Sequence, residues 1–368
     1  MISVLGSHVG REELAEITDC LQRQWLGSGP KTAAFEAEFC RRQGLSNLVV
    51  VNSGSNALYL AVTLLGLPPE SDVIVPSFTW VSCAHSILLA GHRPVFCDVD
   101  LDTQNVTAET IAAVMTPQTR AIMVVHYAGL PVQMGPIADL GVPIIEDAAH
   151  AVDSTLGGRP CGSLGEIGVY SFDAVKNLAM GEGGAITTRD PALAERARRL
   201  RYCGIARSGF DAAQGSSTRW WEHEITAVFP KMLASDLNAA VGLAQLRKLD
   251  ALQAARQRTW DIYQEQFADL DWLRRPVNAS PGDRHSYFTY VIRIPHRDRS
   301  AKALYQQGIY TTLRYHPLHL NAIFNTDVHL ANTERLNRDA LSLPLHPRLS
   351  DADVEKVVTA VRNLPQSW

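Results

Sequence analysis

The sequence predicts an α/β protein with a mainly parallel sheet followed by a smaller α+β region, on three observations. Short β-branched runs alternate with helix-like segments through the first half of the chain, the order that parallel sheets with crossover helices require. Those runs are continuously apolar, as in NLVVV at 47–51 and AIMVV at 121–125, which fits strands covered on both faces. Beyond about residue 250 the chain turns to aromatic, alternating segments such as SYFTYVIRI at 286–294. A chain of 368 residues exceeds the size at which one core keeps growing. The expected division is therefore a large domain over 1–249 and a small one over 250–368.

Taken in order, Arg11 to Trp25 carries helical spacing through Leu14, Ile17 and Leu21. The break Gly27-Ser28-Gly29-Pro30 ends that helix before a second one from Thr32 to Arg42. Residues to about 30 thus read as a helical arm, and Ser28 in its break is expected to reach the active site. A strand over Asn47–Val51 leads through Asn52-Ser53-Gly54-Ser55-Asn56 into a helix from Ala57 to Leu65. Further strands are expected at Val73–Val75, Pro94–Cys97, Ala121–Val125, Pro143–Asp147, Gly168–Phe172 and Ala185–Thr188. A long helix is predicted from Ser235 to Ala255, a strand from Ile309 to Tyr315, and a closing helix capped at Ser350. Asp211–Ser217 reads as a loop.

Hydrophobic residues make up 46% and charged residues 20%, with a net charge of -4, an ordinary soluble balance. The densest basic cluster, Arg196 to Arg201, reads as a solvated helix face, so neither nucleic acid nor an anionic membrane is expected as a partner. Six scattered cysteines lack a C-x-x-C pair or zinc-type spacing, which predicts reduced thiols, no metal site and a reducing compartment. Met1–Gly6 does not match a signal peptide and no apolar run approaches a membrane span. The expected location is cytoplasmic.

Lys176 lies between the apolar run Gly168–Phe172 and the turn Gly181–Gly184. A lysine held partly desolvated there loses proton affinity and becomes a nucleophile toward carbonyls; the plain alternative is a solvated surface charge. Ser53-Gly54-Ser55-Asn56 sits where a strand gives way to a helix, so it is either a phosphate cradle or a serine-rich cap. It lacks both the Walker lysine and the dinucleotide glycine spacing. Asp147 closes a strand at the end where open α/β sheets bind ligands, either capping the next helix or pairing with a buried cation. In chain order these supply a phosphate clamp, the flat ring of Trp80, a carboxylate and a lysine. Those are the parts a pyridoxal phosphate site requires.

Several longer motifs accompany them: Pro76-Ser77-Phe78-Thr79-Trp80-Val81, Val125-His126-Tyr127-Ala128-Gly129, Ile145-Glu146-Asp147-Ala148-Ala149-His150, Lys176-Asn177 through Gly181-Glu182-Gly183-Gly184, and Asp236 to Leu246. With these, nearly the whole chain resembles the DegT/DnrJ/EryC1/StrS sugar aminotransferases, most closely those acting on 4-keto nucleotide sugars. The resemblance implies fold-type I with a seven-stranded, mainly parallel sheet, pyridoxal 5'-phosphate as cofactor, pyridoxamine 5'-phosphate as its aminated form, and a homodimer with shared sites. It implies an L-glutamate donor and a keto-sugar acceptor aminated at C4, with a keto cyclitol or modified nucleoside as the alternative acceptor. A sugar dehydratase of this family is a further alternative, disfavoured because those relatives carry histidine where this chain has Lys176.

By position, the resemblance makes Lys176 the residue forming the internal aldimine, Asp147 the partner of the pyridine nitrogen and Trp80 the stacking ring. Gly54, Ser55, Asn56 and Ser171 would hold the phosphate, with His150 near the ring or its hydroxyl. Relatives carry an asparagine or arginine reaching the neighbouring subunit's phosphate where this chain has Leu233, and Lys231 is the candidate replacement. Phe229-Pro230 also departs from the usual glycine-aromatic turn. Arg314, Tyr315, His316 and His319 fall in the segment that approaches the substrate, and Arg314 could meet a diphosphate. Trp220, Trp221, Glu222 and His223 are candidates for the sugar site.

Overall fold

A computed structural model describes residues 1–206 and 221–364. Its main sheet has seven strands: β1 (Leu48–Val51), β2 (Asp72–Pro76), β3 (Arg93–Cys97), β4 (Thr119–Val125), β5 (Ile144–Asp147), β8 (Ile167–Ser171) and β9 (Gly184–Thr187). A short hairpin of β6 (Thr155–Leu156) and β7 (Arg159–Pro160) lies between β5 and β8 in sequence. The spatial order is β1-β9-β8-β5-β4-β2-β3. β9 pairs antiparallel with both neighbours, and every other pairing is parallel. β1, β2, β5, β8 and β9 are buried along their whole length, as their unalternating apolar runs require.

Helices cover both faces of the sheet. Leu58, Ala61 and Val62 of the helix Gly54–Leu64 share one core with Val49, Val51, Val73 and Met123. On the other face Phe35, Phe39, Tyr170 and Phe172 form an aromatic cluster, with Phe35 and Phe172 edge-to-face at 5.2 Å. The helix Pro30–Gln43 is anchored at its start by the buried Asp236 carboxylate, which accepts the N–H groups of Lys31 at 3.0 Å and Thr32 at 2.9 Å. Those are first-turn donors that a helix cannot satisfy internally.

The later part of the chain has a core of its own, where Trp260, Tyr263 and Phe267 pack against Tyr290, Leu304 and Val357. Its sheet is the antiparallel pair β10 (Tyr290–Arg293) and β11 (Ala340–Leu343). The closing helix Asp351–Arg362 begins at Ser350 with a reciprocal capping box to Asp353.

Three expectations are corrected. The predicted long helix is two helices, Asp236–Arg247 and Leu249–Gln266, broken at Lys248, whose ammonium is held by Glu13 at 2.6 Å. Ile309–Tyr315 forms no strand. It is pinned instead at two separate points, by an Ile2–Ile309 bridge and a Thr312–Ser342 bridge. Arg201, read as part of a solvated face, turns inward and binds Glu36 and the Val50 carbonyl, each at 2.6 Å. The loop Asp211–Ser217 and Trp220 lie outside the described residues. Among the described residues no helix is long and apolar enough to cross a membrane.

Candidate active site

β1, β2, β4, β5 and β8 end at one cavity of about 310 Å³, which is where an open parallel sheet offers its loops to a ligand. Ser53, Gly54, Ser55, Trp80, Asp147, His150, Ser171, Lys176, Arg314 and Tyr315 all line it. Eight of these come from the sheet's carboxyl edge, whereas Arg314 and Tyr315 arrive from the later part of the chain.

At one end Ser53 caps the helix Gly54–Leu64, its Oγ accepting the Asn56 N–H at 3.1 Å. The Gly54 and Ser55 N–H groups then stand in a first turn that leaves them without an intrahelical partner. The Ser55 and Ser82 hydroxyls are 2.6 Å apart. Two glycines permit this convergence: a Cβ on Gly54 would lie 2.8 Å from the Ser171 Cβ, and one on Gly184 would lie 2.5 Å from the Gly54 nitrogen. Hydroxyls and N–H groups gathered at a helix start fit a phosphate. Asn56 does not line the cavity; its N–H goes to Ser53 Oγ and its side-chain amide to Asn52 at 2.7 Å.

Asp147 is buried, its Oδ1 accepting the Ala149 N–H at 2.9 Å and its Oδ2 facing the Cys83 thiol at 3.2 Å. Lys176 sits on the excursion between β8 and β9. The Phe172 N–H to Gly183 carbonyl bond (2.8 Å) and the Met180 N–H to Phe172 carbonyl bond (2.7 Å) close that excursion. Burial lowers the Lys176 ammonium to about 8; the Asp147 charge opposes this, and the Arg314 charge adds to it. Lys176 Nζ and the Arg314 guanidinium stand 5.0 and 4.6 Å from the centroid of the same Phe288 ring.

His150 stacks on Phe288 at 4.0 Å between centroids and shares a 2.7 Å hydrogen bond with the Tyr315 hydroxyl. Burial, with Lys176 and Arg314 nearby, pushes its pKa well below the usual imidazole value, so the ring is neutral. Its buried Nδ1 has no hydrogen-bond partner among the described residues, a polar atom that a ligand hydroxyl would satisfy. Trp80 lines the cavity with 55% of its surface exposed, 6.0 Å from Tyr315 between ring centroids.

The remaining sequence candidates stand elsewhere. The Ser28 carbonyl accepts the Trp25 indole N–H at 3.2 Å, away from the cavity. His316 is exposed, with Nδ1 3.3 Å from the Asn337 side chain. The buried His319 is tied to Ser77, its Nδ1 2.6 Å from the Ser77 hydroxyl, so it anchors the loop that carries Trp80. Lys231 is exposed and outside the cavity, bridging along the backbone to Tyr202. Trp221, Glu222 and His223 are exposed and outside it as well. Sequence reasoning missed Phe288, Ser82 and Thr79 as cavity residues. For Phe288 the only signal was its place in an aromatic run.

The cradle, the buried carboxylate, the exposed indole and the desolvated lysine together fit pyridoxal phosphate. Comparison with known proteins agrees. The model of the DegT/DnrJ/EryC1/StrS aminotransferase family matches residues 7–362. The chain is 40% identical over 366 residues to the dTDP-4-dehydro-2,3,6-trideoxy-D-glucose 4-aminotransferase of Saccharopolyspora spinosa, covering 97% of this chain and 95% of that protein. The solved aminotransferase TlmJ from Streptoalloteichus hindustanus superposes with a TM-score of 0.92 at 41% identity, over 98% of each chain. A Streptococcus pneumoniae protein described as a sugar aminotransferase superposes in its PMP form with a TM-score of 0.92 at 25% identity, over 98% of each chain. The same protein is also solved in a PLP form.

Proposed function

The chain belongs to the DegT/DnrJ/EryC1/StrS aminotransferase family, whose members depend on pyridoxal phosphate, and within it we propose that this enzyme moves an amino group from L-glutamate to the C4 keto group of a nucleotide-linked sugar. The reading rests on the meeting of Lys176, Asp147, Trp80 and the Ser53–Ser55 loop in one cavity. The 40% identity to a dTDP-sugar 4-aminotransferase supports the acceptor class.

When bound, the cofactor supplies an aldehyde and a protonated ring that draws electrons from the reacting carbon. Lys176 Nζ is the group that would bind the cofactor's aldehyde and, once freed by the donor's amine, would carry the proton taken from the donor's Cα. The Asp147 carboxylate would keep the ring nitrogen protonated, and the Trp80 indole would stack on the ring. Ser55, Ser171 and the Gly54 and Ser55 N–H groups would hold the phosphate, and His150 Nδ1 would meet the ring hydroxyl. Arg314 pairs with the sugar nucleotide's diphosphate beside Tyr315. The same residues serve the keto sugar in reverse order.

We further propose a homodimer in which Lys231, exposed beside the half-buried Leu233, reaches the neighbouring subunit's phosphate. The separate core around Trp260 supports a division of the chain near residue 249. Six cysteines without a disulfide fit a reducing, cytoplasmic setting.

The test is to convert loaded enzyme to its aminated form with L-glutamate and mix it with a panel of keto compounds. Only 4-keto nucleotide sugars should restore the absorbance of the lysine-bound cofactor. Restoration by a free cyclitol or nucleoside alone would sink the acceptor assignment. A second expectation concerns pH. With Lys176 at about 8, its neutral, reactive fraction grows as pH rises through 8, so cofactor uptake by the apoenzyme should accelerate with a midpoint there, below the ordinary lysine range. Because the Arg314 charge lowers that value, Arg314→Met should move the midpoint upward, and an unmoved midpoint would refute this coupling.

A further inference from the structure

We propose that Cys83 is a positioning residue whose thiol fixes the orientation of the Asp147 carboxylate. The proposal rests on the reading of Asp147 as partner of the cofactor's ring nitrogen. Cys83 is fully buried on the helix Ser82–Leu89, behind the cavity wall. Its Sγ lies 3.2 Å from Asp147 Oδ2 and 3.3 Å from Thr79 Oγ1.

The protons in this chain of three have one arrangement. An ionised carboxylate only accepts, so the thiol proton points to Asp147. The sulfur is then an acceptor, and the Thr79 hydroxyl must be its donor. Cys83 is fully buried, and Thr79 and Asp147 are only 2% and 5% exposed, so the thiol itself is shielded from water. Burial and the Asp147 charge hold the thiol well above its usual range, so it remains a protonated donor and not a reactive thiolate.

The second carboxylate oxygen is fixed independently by the Ala149 N–H at 2.9 Å. Bonds to both oxygens from two different elements, a helix side chain and a backbone turn, lock rotation about the Asp147 side chain. An ionised carboxylate has about four lone-pair sites, so acceptor capacity remains toward the cavity. A thiol is a weak donor, so it orients the carboxylate while leaving most of its charge for the ring nitrogen.

The experiment loads wild type, Cys83→Ala, Cys83→Ser and Asp147→Asn with pyridoxal phosphate carrying nitrogen-15 in the ring. Four quantities are read: the ring nitrogen's chemical shift, the cofactor's Kd, and kcat and KM for L-glutamate. For Cys83→Ala we expect a ring signal displaced from wild type toward the unprotonated position. Its Kd should rise and its kcat fall, each about 3- to 10-fold, the worth of one ordinary hydrogen bond, as suits a weak thiol donor, with KM unchanged. Cys83→Ser should return the ring signal to its wild-type position and Kd and kcat to within about 2-fold, since its hydroxyl replaces the donor. Asp147→Asn should abolish the protonated-ring signal. A Cys83→Ala enzyme with the wild-type ring signal and Kd overturns the role of Cys83. A protonated ring in Asp147→Asn overturns the reading of Asp147 itself, a distinguishable failure. Should Cys83→Ala not fold, as judged by its circular dichroism, Cys83→Val fills the space without a donor and carries the same expectations.

Discussion

Lys176→Ala is expected to lower the rate of the L-glutamate half-reaction by at least about 10³-fold, because one side chain supplies both the nucleophile and the base. The loaded variant should lack the pH-dependent absorbance of a lysine-bound cofactor. Cofactor affinity should change far less, since the Ser53–Ser55 loop, Ser171, Trp80 and Asp147 are untouched and line the same cavity. Stopped-flow mixing with L-glutamate and equilibrium dialysis against pyridoxamine phosphate separate the two effects. A small primary amine supplied in solution should return part of the lost rate by standing in the space the ammonium leaves. Retention of more than a tenth of wild-type rate would remove Lys176 from the chemistry. Collapse of cofactor affinity alongside activity would instead make it chiefly a binding residue.

The residues that the sequence placed best are those that follow a buried parallel strand at once. Asp147 ends β5, Ser171 ends β8, and Ser53–Ser55 follow β1. A continuous apolar run locates such a strand end to within a residue or two, and the parallel topology sends every such end to one edge of the sheet. Lys176 is five residues past β8 and still belongs to that edge because the excursion carrying it is closed by its own backbone bonds.

The 314–319 segment was harder, for a physical reason. A strand over Ile309–Tyr315, as the sequence suggests, would lead into it with alternate side chains on one face. The chain there makes only single bridges at Ile309 and Thr312, so its side chains follow no such alternation. Arg314 and Tyr315 face the cavity, His316 faces out and His319 turns to Ser77. Four neighbouring polar residues that look equivalent in sequence thus have three destinations. Phe288 and Cys83 were illegible differently. Phe288 meets Lys176 and Arg314 across more than twenty residues of sequence, and Cys83 acts through Asp147 without touching the cavity. Neither relation leaves a spacing to read.

Asp147→Asn offers the sharpest separation of charge from shape. The amide has the carboxylate's size, and its oxygen can keep the 2.9 Å bond from the Ala149 N–H, so the fold should survive. Without the charge the ring nitrogen loses the partner that keeps it protonated, and the cofactor withdraws electrons poorly. The expected loss in kcat is about 10²- to 10³-fold, the scale on which a single preorganised electrostatic group counts in a water-excluded site. The variant also acts on Lys176. The Asp147 charge favours the ammonium, and the Arg314 charge disfavours it. Asp147→Asn should therefore move the midpoint of cofactor uptake below 8, as Arg314→Met moves it above. Opposite shifts from two substitutions around one amine are not produced by general loosening of the site, which would push both in one direction. A downward shift without the fall in kcat would mean that Asp147 tunes the lysine and leaves the ring alone. A fall in kcat without the shift would mean the reverse.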